Sequence, residues 1–259
     1  MTDRSPSELA RMARQHIKSL QAAGIEWVPA AKDTGSALSL FGAEFVPASA
    51  NQQSGPASIA GTENLLLSLD QKKQELQVLA ERVSQCTRCA GLAATRTQTV
   101  FGVGNINPEL CFVGEAPGAD EDRTGEPFVG AAGQLLNRII AACGMKREEV
   151  YICNIIKCRP PGNRLPSTEE AGNCREYLEK QLELIRPKFI CALGACAAQN
   201  LLHTTVSIGK LRGRLMDYRG IPVLCTYHPA YLLRNPVMKK EVWEDMKKLM
   251  QQMGRPIKQ

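Results

Sequence analysis

Cys86 and Cys89 form a C-x2-C pair, and Cys158 and Cys174 follow with fifteen residues between them. A set of four thiolates binds either a tetrahedral zinc ion or an iron–sulfur cluster. Spacing alone leaves both open and leans slightly to zinc, the commoner structural metal. Either one ties the segment around residue 86 to the loop around residue 158. The other six of the ten cysteines are Cys111, Cys143, Cys153, Cys191, Cys196 and Cys225. They lie in apolar strand or helix contexts and read as small core residues.

Three further stretches carry groups suited to acid–base and hydrogen-bond chemistry. GEAPGADEDRTGEPFVGAAGQLL, residues 114–136, opens on a turn with two glycines and a proline, which leaves backbone N–H groups exposed. Glu115 ends an apolar run, a position suited to catalysis. Asp120 and Asp122 read as solvated loop charges. Phe128 lies in a loop that leads into a helix. NIIKCRPPGNRLP, residues 154–166, opens with Asn154. Its amide offers one donor and one acceptor to a planar edge, as base reading requires. YHPAYLLRNP, residues 227–236, holds His228, one of three histidines. Leu232 and Leu233 follow it. Apolar side chains in such a loop serve as a wedge into a base stack or as packing against a C-terminal helix.

Strands and helices must position these groups. Short apolar runs at 109–114, 150–156, 188–193 and 221–227 predict four strands. Helices are predicted at 132–143, at 167–186 behind an S-T-E-E capping box, through residue 202, and at 236–253. In the last, Val242, Met246, Leu249 and Met253 share one face. Strands alternating with helices imply a parallel sheet covered on both faces. The expected fold class is therefore a three-layer α/β/α architecture around a mostly parallel four-stranded sheet. Ligands of such sheets sit beyond the carboxyl ends of the strands, where the three stretches fall.

Ahead of this region, TENLLLSLDQKKQELQVLAERVSQ reads as a helix with Thr62 as candidate N-cap, leading into Cys86. Residues 7–22 fit a short amphipathic helix with Arg11, Arg14 and Lys18 on one face. Residues 28–61 have the Ala/Ser/Gly/Pro composition of a linker. The expected division is an N-terminal extension over 1–79 and a catalytic domain over 80–259.

The chain of 259 residues is 44% hydrophobic, enough for a real core, and carries a net charge of +6. Residues 1–80 hold 7 Lys+Arg against 8 Asp+Glu, so the basic excess belongs to the remainder. That excess suits a polyanion such as DNA, although a solvated surface gives a similar number. No apolar run approaches a membrane span, and the first twenty residues show no apolar signal region. A soluble, cytoplasmic and nucleoid-associated protein is expected. In that compartment cysteines pack, bind metal or do redox chemistry more often than they form disulfides.

GEAPGADED, GEPFVGAAGQLL, NIIKCRPPGNRLP and HPAYLLRNP, taken with the four cysteines, resemble the motifs of the iron–sulfur uracil-DNA glycosylases, family 4 of their superfamily. The resemblance covers about residues 80–253 in the same order. It implies a uracil-DNA glycosylase-like fold, hydrolysis of the bond between uracil and deoxyribose, and a [4Fe–4S] cluster on Cys86, Cys89, Cys158 and Cys174. It also implies roles for single residues. Gly114 and Phe128 line the base site, with Phe128 stacked on flipped uracil, and Asn154 hydrogen-bonds the uracil edge. His228 donates to the oxygen on which negative charge grows. Glu115 and Glu121 are the acidic candidates near the sugar, with Glu115 the first choice and Glu121 alternatively shaping the pocket against a 5-methyl group, and Leu232 enters the gap in the duplex. Arg88, Lys157, Arg159 and Arg234 are candidates for the DNA backbone. One departure is Ala131, where the family often has arginine. The partner implied is uracil-containing DNA, bound by a monomer, with residues 1–79 free to meet a replication or repair protein. Alternatives at this point are a relative acting on hypoxanthine or xanthine and a non-catalytic DNA-binding module. Glu115, Asn154 and His228 together weigh against the latter.

Overall fold

Helix formation in the described residues, 67–257 of this computed structural model, starts at a capping box. Ser68 Oγ accepts from Gln71 N (3.1 Å) and Gln71 Oε1 accepts from Ser68 N (2.9 Å). Together they satisfy two N–H groups that a helix start leaves unpaired. Helix α1, Leu69–Ser84, then buries Leu76, Leu79 and Val83 and runs into Cys86. Thr62 and the segments 7–22 and 28–61 lie outside the described residues. Helix α1 belongs to the same compact unit as the rest of the described residues. It supplies Leu76, Leu79 and Val83, on either side of the boundary expected at residue 80, to one core.

Beyond α1 come α2 (Ala90–Thr95), β1 (Val103–Gly104), β2 (Leu110–Gly114), α3 (Ala119–Thr124), α4 (Ala131–Ala142), β3 (Tyr151–Asn154) and α5 (Thr168–Ile185). They are followed by β4 (Phe189–Leu193), α6 (Gly194–Leu202), α7 (Ile208–Leu211), β5 (Leu215–Tyr218), β6 (Ile221–Thr226), α8 (Pro229–Arg234) and α9 (Lys239–Gln252). The capping box expected at α5 is present: Ser167 Oγ accepts from Glu170 N, and Glu170 Oε2 accepts from Ser167 N.

The strand order is β1-β3-β2-β4-β6-β5. The four expected strands form the parallel centre. Two antiparallel edge strands, β1 on β3 and β5 on β6, make the sheet six-stranded rather than four-stranded. Both are short and partly exposed, so they lack the apolar run that marks a buried strand.

Alternation along the inner strands builds two cores. Cys111, Val113, Ala192, Val223 and Cys225 face the layer of α1, α5 and α6. Leu110, Phe112, Cys191, Leu193 and Leu224 face α4, α8 and α9. This is the expected three-layer arrangement. Five of the six extra cysteines are buried in these layers and Cys196 is half-buried. No helix among the described residues is long and apolar enough to cross a membrane.

Candidate active site

Parallel pairing of β2 with β3 sets Gly114 opposite Asn154 at the carboxyl ends of both strands. A cavity of about 510 Å³ opens there, lined by Asn154 together with Glu115, Phe128 and His228. Its position beyond the strand ends is the one this architecture favours, and its size suits a small ligand.

Gly114 makes room for the site. A Cβ on it would come within 2.4 Å of Asn154 Oδ1 and 2.5 Å of the Phe128 ring. Asn154 is 1% exposed, and its Oδ1 has no hydrogen-bond partner among the described residues. A buried acceptor left unpaired costs about 1–3 kcal/mol, which a ligand N–H relieves. Phe128 is buried with φ at 55°, left-handed for a bulky residue, a conformation that costs on the order of 1–3 kcal/mol. Its ring lies 5.5 Å from that of His228.

His228 ends the β6 run and caps α8: its Nδ1 accepts from Ala230 N at 3.1 Å. The proton of the neutral ring therefore sits on Nε2. Burial, with Arg234 nearby, lowers the imidazole pKa to about 4. The side chain is then a neutral donor at physiological pH, suited to an oxygen that gains charge. Glu115 is half-buried; its backbone carbonyl accepts from Ile156 N at 3.2 Å, its carboxyl has no hydrogen-bond or ion-pair partner among the described residues, and burial raises it above the usual carboxylate value. These groups bring together an acceptor, a stacking ring, a neutral donor and a carboxylate in one cavity.

Residues 101–247 match the family model for the uracil DNA glycosylase superfamily. The chain belongs to that superfamily. It is 45% identical to a type-4 uracil-DNA glycosylase of Thermotoga maritima, over 68% of this chain and 94% of the relative. It is 44% identical to a type-4 uracil-DNA glycosylase of Archaeoglobus fulgidus, over 68% and 92%. A type-5 uracil-DNA glycosylase of Pyrobaculum aerophilum is 30% identical over 58% of this chain and 80% of the relative.

Several expected residues of this uracil DNA glycosylase superfamily member stand elsewhere or do something else. Glu121 is committed to backbone. Its Oε1 accepts from Val129 N and Gly130 N, both at 2.9 Å, and its Oε2 accepts from Gly118 N at 3.0 Å. It lines the cavity and ties two of its loops together through these bonds. Asp122 is buried, not solvated, and both its oxygens accept from Thr97 N. Asp120 is exposed and pairs with Arg123. Leu232 cannot be the wedge where it stands: it is 0% exposed, in the core with Val242 and Met246, because α8 turns it towards α9. Its neighbour Leu233 is 43% exposed.

Lys157 is also corrected as a DNA contact. It is 1% exposed, and its Nζ donates to Gln181 Oε1 (2.6 Å) and Asn154 O (3.0 Å). It fixes the backbone of Asn154 from behind. Arg88 pairs with Glu176 at 2.7 Å and lies over the Tyr177 ring, so it anchors the cysteine segment to α5. Arg159 donates to Asn163 Oδ1 within its own loop. Arg234 is exposed at the cavity mouth. The cavity also uses Arg164, Leu165 and Tyr231, which the motif reading passed over. Tyr231 carried a signal, since it stands one helical turn after His228. Ala131, the departure from the family pattern, lines the cavity as well.

Cys86, Cys89, Cys158 and Cys174 line one recess, bordered also by Arg96 and Asn173. Arg96 Nη1 donates to Cys158 Sγ (3.0 Å), and Asn173 Nδ2 donates to Cys89 Sγ (3.6 Å). Among the described residues, no three His, Cys, Asp or Glu side chains are grouped as a single metal ion would require. Four thiols around a common recess, with N–H donors aimed at two sulfurs, are a donor set suited to a thiolate-ligated metal centre.

Proposed function

We propose that this chain is a DNA-repair glycosylase that takes uracil out of the base stack, hydrolyses its N-glycosidic bond and leaves an abasic site. Membership of the superfamily and similarity to type-4 members support this reading. The observation that carries it is the unpaired Asn154 Oδ1 in a cavity shared with Phe128 and His228. Uracil presents an N–H at N3 and carbonyl oxygens beside it. The Asn154 amide matches that edge, accepting from N3–H and donating to O4. Cytosine presents an acceptor and an amine there and would set like against like.

Flipping costs a few kcal/mol of unstacking, which stacking on Phe128 offsets. As the glycosidic bond breaks, negative charge grows on uracil O2 and positive character on the sugar. A fixed donor such as His228 Nε2–H is worth about 3 kcal/mol at such an oxygen. Glu115, ionised, stabilises the sugar cation and orients the attacking water. Leu233, exposed on α8, takes the wedge role, and Arg234 beside it meets a phosphate.

The four cysteines would hold a [4Fe–4S] cluster, which, when bound, supplies a thiolate-ligated cross-link between the chain around residue 86, the loop at residue 158 and α5. The protein acts as a monomer in the DNA-containing compartment, and residues 1–79 are the segment offered to a repair or replication partner.

The test is an end-labelled oligonucleotide with one uracil, incubated with full-length protein and then treated with alkali. Cleavage at uracil is expected, with Asn154→Ala and His228→Ala each slowing single-turnover excision at least about a hundredfold. A gel shift without cleavage would instead mark a DNA-binding module and overturn the reading.

A further inference from the structure

Phe128 sits in a left-handed conformation that a bulky side chain does not hold unaided. The peptides on both sides of it are pinned. Val129 N and Gly130 N donate to Glu121, and Val129 O accepts from Gln134 Nε2 at 3.2 Å. Behind the ring, Phe128 O packs against α4 at Gly133, where a Cβ would come within 1.8 Å of it. The remaining pin comes from outside the loop. Arg147, in the turn ahead of β3, donates from Nη2 to Pro127 O at 2.5 Å and from Nη1 to Asn137 Oδ1 at 2.9 Å. The two arms of one planar guanidinium thus bridge mid-α4 and the carbonyl immediately before Phe128. A lysine has no such fork. Burial lowers the Arg147 pKa below the usual guanidinium value, and the nearby Glu126 and Glu121 oppose that only in part.

We propose that Arg147 is a positioning residue for uracil excision: its guanidinium, fixed on Asn137, holds the Pro127 carbonyl and keeps the Phe128 ring over the base site. This rests on the reading of Phe128 as the stacking residue. Without the Arg147 bond, rotation about the peptide before Phe128 is opposed on one side only. The backbone can then relax from its left-handed state and carry the ring away from Gly114 and His228. DNA outside the base site is held by other groups, so binding of the strand itself is unaffected.

The experiment uses the full-length protein and a single-stranded oligonucleotide with one uracil, so that opening a duplex does not contribute. Single-turnover excision and affinity for the same strand carrying an abasic analogue are measured for Arg147→Met, Arg147→Lys, Asn137→Leu, Phe128→Ala and the Arg147→Met/Phe128→Ala double variant. Arg147→Met is expected to slow excision about tenfold, the scale of one lost charge-assisted hydrogen bond. Asn137→Leu should give a smaller loss and Arg147→Lys a partial recovery, with abasic-strand affinity within about twofold of wild type throughout. In the Phe128→Ala background, Arg147→Met should add nothing. Wild-type excision by Arg147→Met overturns the proposal. So does a parallel loss of excision and strand affinity, or full additivity in the double variant. If Phe128→Ala itself excises normally, the stacking assignment fails first; if only Phe128→Ala slows excision, the Arg147 inference alone is lost.

Discussion

Gly114 decides how flat the base site is. Because a Cβ there would press on both Asn154 Oδ1 and the Phe128 ring, Gly114→Ala fills the space between the two groups that grip the base. It should slow single-turnover excision by about a hundredfold, the usual cost of an ångström of misplacement, while affinity for abasic DNA persists. Equal loss of both would mean that the substitution disturbs the strand ends rather than the base site. The acid limb of the pH profile belongs to Glu115. Its carboxyl must be ionised to act, and burial holds its pKa above the ordinary value. Activity is therefore present above that raised value and is lost as pH falls through it. His228, lowered to about 4 by burial, is neutral where the carboxyl is ionised at physiological pH. Glu115→Gln should remove the limb and lower the plateau by about 10²- to 10⁴-fold. A limb that survives in Glu115→Gln reports a different group. Gly114, Glu115, Asn154 and His228 were legible because each ends an apolar strand run, so sequence order alone puts them on one edge of the sheet. The fate of Glu121 was not legible, since its three N–H donors come from loops whose paths depend on the whole cavity.

Within α8 two adjacent leucines have opposite fates. Leu232 is in the core against α4 and α9, and Leu233 is exposed at the same end of the sheet as the cavity. Leu232→Ala should cost about 2–5 kcal/mol of stability, read as a lower denaturant midpoint. Leu233→Ala should leave that midpoint unchanged and slow excision from duplex DNA more than from single strands. Equal slowing on both substrates would remove Leu233 from the wedge role. A six-residue helix is too short for its periodicity to say which leucine faces inward, so the choice depends on packing between distant elements. Lys157 was misread for the same reason: its buried partner, Gln181, lies in α5, a separate element. The capping box at Ser167 was readable because both of its bonds are local. The edge strands β1 and β5 escaped notice because they are short and carry no continuous apolar run.

At the scale of the molecule, the cysteine recess and the active-site cavity share one piece of chain. Cys158 and Cys174 bracket residues 159–173, and within that span Pro160, Asn163, Arg164 and Leu165 form part of the cavity wall. Arg164 is held from the same span, by a fork onto Glu170 at 2.6 and 2.8 Å, and Glu170 itself borders the recess. The four-cysteine pattern was visible in sequence, but this shared wall was not, because it depends on where the loop lies between β3 and α5. A cross-link through four thiolates would pin both ends of the loop and fasten it to the end of α1. Its removal should therefore loosen the cavity rim and leave Glu115, Asn154 and His228 on their strand ends. Anaerobically purified protein is expected to be brown, with iron and sulfide and without stoichiometric zinc. Cys174→Ser should lose the iron, unfold at a lower temperature and weaken substrate binding more than the saturated single-turnover rate. Full iron content in Cys174→Ser would remove that residue from the ligand set. A colourless protein holding one zinc would replace the cluster by a mononuclear centre. A large fall in the saturated rate with unchanged binding would mean that the recess acts on the reacting groups themselves and not through the rim.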